Sequence, residues 1–359
     1  MRREGKGALD GILVLDFSTL LPGPLAGLML AEAGAEVVKI ERPGGEDMHR
    51  FEPRLGETSA PWLLLNRGKT VLTADLKSPA ALADLLPLVD RADVLIEQFR
   101  PGVMERLGLG YEALAARNPG LVYCSVTGYG QAGPRAHEAG HDINYQAVTG
   151  LLALAPGTPE APAVPAALTA DIAGGALSAV ANILLALRQR DSTGRGCHLD
   201  VAMADAMFTF GWLAHAMGHA AGRFPGPAGT LLTGGSPRYG LYATADRRFL
   251  AVGALEDKFW STFSAAIGLP EALRAANAPA GEVRDAVSAL VRARDAAHWQ
   301  AVLAPLDCCC TVVASLEEAV SDPHFRQRGL FQGTVEGAGV RLPALPLPLS
   351  PHVRRPSEG

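Results

Sequence analysis

The sequence predicts an α/β protein: a large, doubly wound domain built on a parallel sheet, followed by a smaller α+β domain. Three observations predict it. Short apolar segments recur through the first 130 residues with helical stretches between them, the alternation that builds a parallel sheet. After about residue 170 the pattern changes to long helical runs, a Gly/Pro-rich stretch and a hairpin. The chain has 359 residues, about two domains at ~150 residues each. Its 48% hydrophobic content supplies sizeable cores and excludes disorder over most of the chain.

Taken in order, ILVLDFS (12–18) reads as a buried strand bounded by Gly11 and the turn LLPGP. Residues 24–33 repeat small and apolar side chains at helical spacing as far as Gly34, a helix stop. EVVKIE (36–41) is a second strand, ended by Pro43, Gly44 and Gly45. KTVLTADL (69–76) is strand-like, and Ser78 caps the next helix with Pro79 at its first position. ADVLIEQF (92–99) and LVYCSVTGYG (121–130) are further strands with a short helix between them. Residues 171–190 form a long helix, ended by the turn DSTGRG, and 197–222 reads as a second helical stretch. RFPGPAGTLLTGGS (223–236) reads as linker, 239–255 as a hairpin turning at 245–247, and 257–302 as helical. The tail from 342 is proline-rich and extended. The expected boundaries are a large domain at 1–200 joined by the tail 343–359, a small domain at 235–322, and linkers at 201–234 and 323–342.

A net charge of −5 argues against general nucleic-acid binding, which needs a basic face. A local basic pocket for a small anion stays possible. Cys124, Cys197 and the run Cys308, Cys309, Cys310 have no CxxC spacing, so no metal site is expected. An odd count with three adjacent cysteines suits reduced thiols and a cytoplasmic protein. The start, MRREGKGALDG, lacks the apolar core of a signal peptide. No run of ~20 apolar residues free of charges and breakers predicts a membrane span.

The first strand, turn, helix and strand have a Rossmann-like outline, with Glu41 closing the second strand. The dinucleotide fingerprint is missing. The turn LLPGP holds Gly23 alone in place of GxGxxG, and Pro22 and Pro24 remove N–H groups that a pyrophosphate needs. The candidate chemistry lies elsewhere. His141, in AGHDINY (139–145), stands at a loop-to-helix transition, where a neutral imidazole can take a proton near pH 7. A surface or capping histidine is the plainer alternative. Asp171, in LTADIAGGA (168–176), opens the long helix. An aspartate there commonly caps, and the helix N–H groups also face an anion or oxyanion. Gly174 and Gly175 admit a close neighbour. Glu256, in VGALEDKFW (252–260), follows a strand and alone reads as a solvated carboxylate. Arg42, Lys77, Arg100 and Arg106 follow strand ends, where open α/β sheets bind ligands. Four cations there suit a phosphate-bearing ligand, with ordinary surface charge as the alternative.

The ordered segments LDFSTLLPGPLAGLMLAEAGAEVVKIERPGG, NRGKTVLTADLK, DVLIEQFRPGVMERLGLGYEAL, LVYCSVTGYGQAGPR, AGHDINY, TADIAGG, GGSPRYGLYATADRRFLAVGALEDKFW and DPHFRQRGLF resemble family III CoA transferases, the CaiB–BaiF family, over about residues 8–350. The histidine of GHDINY and the GALE segment resemble that family's α-methylacyl-CoA racemase branch. The chain departs from the family pattern at TADIAGG and at DCCCTVV, where Val312 replaces a proline.

The resemblance implies an acyl-CoA enzyme that inverts the α-carbon of 2-methylacyl-CoA thioesters through an enolate. The alternative is CoA transfer between carboxylic acids with Asp171 as nucleophile. His141 and Asp171 match the two catalytic bases, and Glu256 matches the carboxylate that orients the histidine. Arg42, Ala74, Asp75, Leu76, Lys77, Gln98, Phe99, Arg100, Arg106, Gly140, Asp142, Ile143, Asn144 and Tyr145 match positions that hold coenzyme A. The resemblance further implies an intertwined homodimer, no nucleic-acid or membrane partner, and no separate cofactor, because coenzyme A is part of the substrate. Backbone N–H groups at 171–173 are expected to receive the enolate oxygen. Met203, Met207, Phe208 and Trp212 are candidates for the acyl pocket.

Overall fold

The computed structural model describes residues 7–155, 157–158 and 161–355. The chain forms two compact units. The first takes up the described residues within 1–149, 166–210 and 326–359, and the second those within 150–165 and 211–325.

The first unit is built on six parallel strands: β1 (Leu13–Asp16), β2 (Glu36–Glu41), β3 (Thr70–Thr73), β4 (Val94–Glu97), β5 (Val122–Thr127) and β6 (His198–Ala202). Their spatial order is β6-β5-β4-β1-β2-β3, the Rossmann order, which reverses direction between β1 and β4. Alternate residues of the central strands are buried on opposite faces. Leu13, Leu15, Val38, Ile40, Leu95 and Tyr123 enter one core with Leu85 and Val89 of α3 (Pro79–Val89) and Leu114 of α5 (Tyr111–Arg117). Val14, Val37, Val94, Ile96, Cys124 and Val126, facing the other way, are just as buried. A parallel sheet covered on both faces needs apolar side chains at consecutive positions, and these strands supply them.

Helices α1 (Pro22–Glu32), α2 (Ala60–Asn66), α4 (Val103–Arg106), α6 (Asp142–Val148), α7 (Ser178–Thr193) and α8 (Met203–Phe210) complete the unit. A π-helical segment, Ala170–Leu177, runs directly into α7. The combined stretch Ala170–Thr193 is long and apolar enough to cross a membrane by composition, yet half of its apolar window is buried inside the protein. It packs on α1, α6 and α8, as a core helix does.

Three expectations need correction. The stretch 197–222 is not helical throughout: residues 198–202 form β6, pairing with β5 from His198↔Tyr123 to Ala202↔Thr127. The alternation of polar His198 and Asp200 with apolar Leu199 and Val201 is that of an edge strand. The span 201–234, expected as linker, carries α8 and then α9 (Trp212–Ala221). Likewise 323–342 holds a hairpin, β10 (Thr334–Gly337) and β11 (Val340–Pro343). The tail returns to the first unit, where Arg355 donates its backbone N–H to Glu32 O and its guanidinium to Gly34 O.

The second unit holds an antiparallel sheet of β7 (Tyr239–Ala243), β8 (Phe249–Gly253) and β9 (Cys310–Val312). Helices α10 (Asp257–Ala266), α11 (Ala280–Arg292) and α12 (Ala296–Leu303) follow the hairpin. On α11 the buried Val283, Val287 and Val291 recur every four residues, and they close over Leu250, Val252, Trp260, Phe263 and Trp299. Both tryptophan N–H groups are satisfied inside this core, Trp260 by Arg274 O and Trp299 by Val291 O.

Candidate active site

The carboxyl ends of β1, β4 and β5 surround the point where the strand order reverses, and a cavity of about 410 Å³ opens there. Leu20 and Pro22 line it from beyond β1, Gln98, Phe99, Arg100 and Pro101 from beyond β4, and Val126, Thr127 and Gly128 from the end of β5. The loop residues Ala136, Glu138, Ala139 and Gly140 close the remainder with His141, Asn144, Tyr145, Asp171 and Met203. Open α/β sheets bind ligands at this location because the strand connections diverge there and leave a crevice.

The turn after β1 is pinned from below by buried charges. Lys69 Nζ lies 2.9 Å from Asp16 Oδ2 and also donates to Pro24 O and Asn66 Oδ1. Lys39 Nζ donates to Ser18 O and lies 3.0 Å from Glu46 Oε1. Glu46 Oε2 in turn accepts the N–H of Leu20 at 2.6 Å. Leu20, at φ 62°, occupies the left-handed region, which a branched residue adopts only when its surroundings impose it. Burial works to raise the Asp16 carboxyl, but the flanking Lys69 and Lys39 ammoniums outweigh it and hold the group below its ordinary range. A dinucleotide reading of this corner fails on Glu41 as well. Its two oxygens are taken by His49 Nε2 at 2.8 Å and Trp62 Nε1 at 3.0 Å, so no carboxylate remains for a ribose.

His141 sits at the N-cap of α6 with extended backbone (φ −126°, ψ 175°). Its N–H goes to Asn144 Oδ1 at 3.0 Å, and its carbonyl accepts from Asn144 N. The backbone is therefore fixed while the imidazole stays exposed in the cavity. Tyr145 lies beside it, its hydroxyl donating to Gly140 O at 2.6 Å and its ring edge-on to Tyr129. A Cβ on Gly128 or Gly140 would stand 2.5 or 2.7 Å from that ring, so both positions require glycine. Burial pushes the Tyr145 hydroxyl up to about 12, with the Asp171 charge adding to it.

Asp171 is the second residue of the π-helical segment, and Thr169 is its N-cap. The capping role expected of Asp171 belongs to Asp142. One oxygen, Asp142 Oδ1, accepts the N–H groups of Ala170 at 2.7 Å and Asp171 at 3.0 Å. The expectation that the backbone at 171–173 receives an oxyanion is corrected at Asp171 and Ile172. Asp171 N is held by Asp142, and Ile172 N donates to Leu168 O. The Asp171 side chain is left to face the cavity. Burial raises its carboxyl to about 6, the nearby Asp142 charge adds to the rise, and His141 opposes it. Gly174 and Gly175 do admit close neighbours: an added Cβ would meet Met203 O at 2.8 Å and the Pro22 ring at 2.7 Å. That contact brings the Asp171 helix against the turn after β1.

Of the residues expected at the site, Gln98, Phe99, Arg100, Gly140, His141, Asn144, Tyr145 and Asp171 line this one cavity. Arg42, Ala74, Asp75, Leu76, Lys77, Arg106, Asp142 and Ile143 lie outside its lining. Arg42 is exposed, with Nε donating to Gly45 O and Nη2 to Asp47 Oδ1. Ala74 and Leu76 pack into the core beneath the sheet edge, while Asp75 accepts the N–H of Lys77. Lys77 and Arg106 are exposed. Glu256 is an exposed carboxylate at the N-cap of α10 in the second unit. Of the four acyl-pocket candidates, Met203 lines the cavity, Met207 is buried core, and Phe208 and Trp212 are exposed. Leu20, Thr127 and Gly128 are cavity residues that the sequence reading did not single out. Among the described residues no cluster of histidine, cysteine and carboxylate has metal-binding geometry.

Comparison with known proteins shows the family. Residues 9–358 match CoA-transferase family III. The chain is 37% identical to human alpha-methylacyl-CoA racemase over 90% of its own length and 82% of that protein's. It is 34% identical to acetyl-CoA:oxalate CoA-transferase of Acetobacter aceti over 97% of its own length and 92% of that protein's. Among solved structures, a CaiB/BaiF family protein from Brucella suis superposes with a TM-score of 0.81 at 29% identity, covering 96% of this chain and 93% of that one. On its sequence, its sheet order and its relatives together, the chain belongs to CoA-transferase family III.

Proposed function

We propose that this member of the family is a racemase that inverts the α-carbon of 2-methylacyl-CoA thioesters by two-base proton transfer. One observation carries the reading: His141 and Asp171 share a cavity, and the Asp171 carboxyl is raised to about 6. A thioester α-hydrogen is acidic enough to be removed as a proton, leaving an enolate. Inversion then needs a proton acceptor and a proton donor on opposite faces of that carbon. A carboxyl near 6 can fill either role close to neutral pH, which a carboxyl in its ordinary range cannot. In one direction neutral His141 takes the proton and protonated Asp171 returns one to the other face. In the reverse direction the roles exchange. Glu256 completes the reading as the carboxylate that fixes the histidine tautomer. Coenzyme A enters as part of the substrate, with Arg100 and the cations beyond the strand ends as its phosphate partners. The resemblance extends the proposal to a cytoplasmic homodimer.

A second reading has a specific observation behind it, the identity to the Acetobacter aceti CoA-transferase. There Asp171 would attack the thioester carbonyl, form an acyl–aspartyl anhydride and expel CoA thiolate, and His141 would have no required step. Incubation with one enantiomer of a 2-methylacyl-CoA in deuterated water separates the two. The racemase reading expects α-deuterium incorporation without any acceptor acid, reduced at least 10²-fold in His141→Ala and in Asp171→Asn. Turnover that requires an acceptor acid, with His141→Ala near wild type, would replace it with the transferase reading.

A further inference from the structure

We propose that Asp142 is a positioning residue for Asp171: through paired hydrogen bonds to the N–H groups of Ala170 and Asp171 it sets where the Asp171 carboxyl stands in the cavity. This rests on the racemase reading above and adds to it a residue that touches no reacting atom. The geometry is specific. Asp142 is 5% exposed and opens α6 one residue after His141. Its Oδ1 accepts both backbone donors, at 2.7 and 3.0 Å, and its Oδ2 accepts from Gln146 Nε2 at 2.6 Å. Gln146 is itself 3% exposed. The carboxylate accepts three N–H groups, so this buried polar side chain is fully hydrogen-bonded. A hydrogen-bonded link therefore runs from the backbone beside His141 to the backbone of Asp171, and it ties the two bases to each other across a gap in sequence from 142 to 170.

The same link has an electrostatic consequence. The Asp142 charge sits beside the Asp171 carboxyl and disfavours a second negative charge there. The other groups near Asp171 are His141, which favours its ionised form, and Tyr145, which in turn has Arg100 and Tyr129 near it. Arg100 and Glu138 line the same cavity from loops, and the charges of the helices and strand packed against the Asp171 helix are few. In α1 the ionisable group is Glu32, at the last position, and in α8 it is the exposed Asp205. In α7 the charges begin at Arg188, and in β6 they are His198 and Asp200. Asp142 thus anchors Asp171 and helps it keep the proton that one direction of racemisation must deliver.

Asp142→Asn tests the charge, because the amide keeps an oxygen for the two N–H groups, and Asp142→Ala, which also removes both bonds, tests the anchoring: a kcat no lower in Asp142→Ala than in Asp142→Asn overturns it. The readout is the rate of α-deuterium incorporation as a function of pH, with kcat and KM separated in each direction. The expected result is a limb assigned to Asp171 that moves to lower pH by about one unit, with kcat down about tenfold above it and KM little changed. A purely structural cap would leave the limb in place, and an unmoved limb with unchanged kcat overturns the proposal. Should Asp142→Asn fail to fold, Gln146→Met removes the donor on Oδ2 and frees the Asp142 carboxylate to shift. A severalfold fall in kcat at constant KM supports the proposal, and an unchanged kcat overturns it. Controls keep the two levels apart. Exchange absent from the wild type, or surviving in Asp171→Asn, sinks the racemase reading itself. Exchange lost in Asp171→Asn but indifferent to Asp142→Asn sinks this inference alone.

Discussion

Glu97, the last residue of β4, is 4% exposed and accepts the N–H of Phe99 at 2.8 Å. Burial raises its carboxyl to about 7; bonds from Ser125 and Phe99 pull it down, and the charges of Glu105 and Asp200 push it further up. The sign of the effect on stability follows. Below the unfolded value, near 4.5, the group is protonated in both states and has no effect on pH dependence. Between there and about 7 the unfolded chain ionises first, so stability falls as pH rises. Above 7 the loss is complete, and at about 1.4 kcal/mol per pKa unit it comes to about 3 kcal/mol. Glu97→Gln keeps the shape and the acceptor for Phe99 N while abolishing the titration. Its new amide N–H group has Ser125 Oγ as a partner, which itself lies 2.9 Å from His198 Nε2. Urea unfolding at pH 4.5, 6 and 8 is the assay. The variant is expected to match the wild type at pH 4.5 and to exceed it at pH 8 by about 1–3 kcal/mol, the lower figure allowing for an imperfectly paired amide. A variant that parallels the wild type at all three values, or is weaker at pH 8, refutes the buried-acid argument.

Two further outcomes follow from the same site. Lys69→Met removes the hydrogen-bonded cation of the buried Asp16 and leaves only the more distant Lys39, which should cost about 3 kcal/mol in a denaturant titration, with the double variant Lys69→Met, Asp16→Leu recovering part of it. Arg100→Ala should weaken coenzyme A binding about tenfold in calorimetry, with a reduced salt dependence, and Arg42→Ala by less, because the Arg42 guanidinium is already engaged by Gly45 O and Asp47.

How far the sequence was legible depended on whether a signal was local. The strands of the doubly wound sheet were readable because a parallel strand buried on both faces must be apolar at consecutive positions, as in LVLD and VLIE. β6 was not, since an edge strand ending in VAMADAM merges into the small-residue pattern of α8, and only its pairing with β5 distinguishes it. At the site, His141 and Asp171 stood out by residue type beside glycines. Asp142 was expected only among the positions that hold coenzyme A; its bonds to Ala170 and Asp171 were not legible, because those partners lie far along the chain and are backbone groups, which leave no trace in a sequence. The buried ions under Leu20 did leave one. Lys39 inside EVVKIE and Asp16 inside VLDF are charges in otherwise apolar strands, and such a charge implies a buried partner.

The turn after β1 shows why one topology serves different ligands. A dinucleotide site at the switch point works by leaving backbone N–H groups at the start of α1 open to a pyrophosphate, and glycines give the approach. Here the same position is occupied twice over. Pro22 and Pro24 have no N–H to offer, and Gly23 N is donated to Gln98 Oε1 at 3.1 Å. The helix start that would have been an anion site is instead a wall, held at Leu20 by Glu46 and braced against Gly175 through Pro22. Under the proposed function the binding charge stands instead on side chains beyond the strand ends, Arg100 among them. Asp171 is partly buried at the crevice, and burial with the Asp142 charge is what raises its carboxyl to about 6. A P-loop-like cluster of open N–H groups at that spot would stabilise the carboxylate and forfeit the proton. Closing the α1 terminus and raising the Asp171 carboxyl are in this sense the same structural choice.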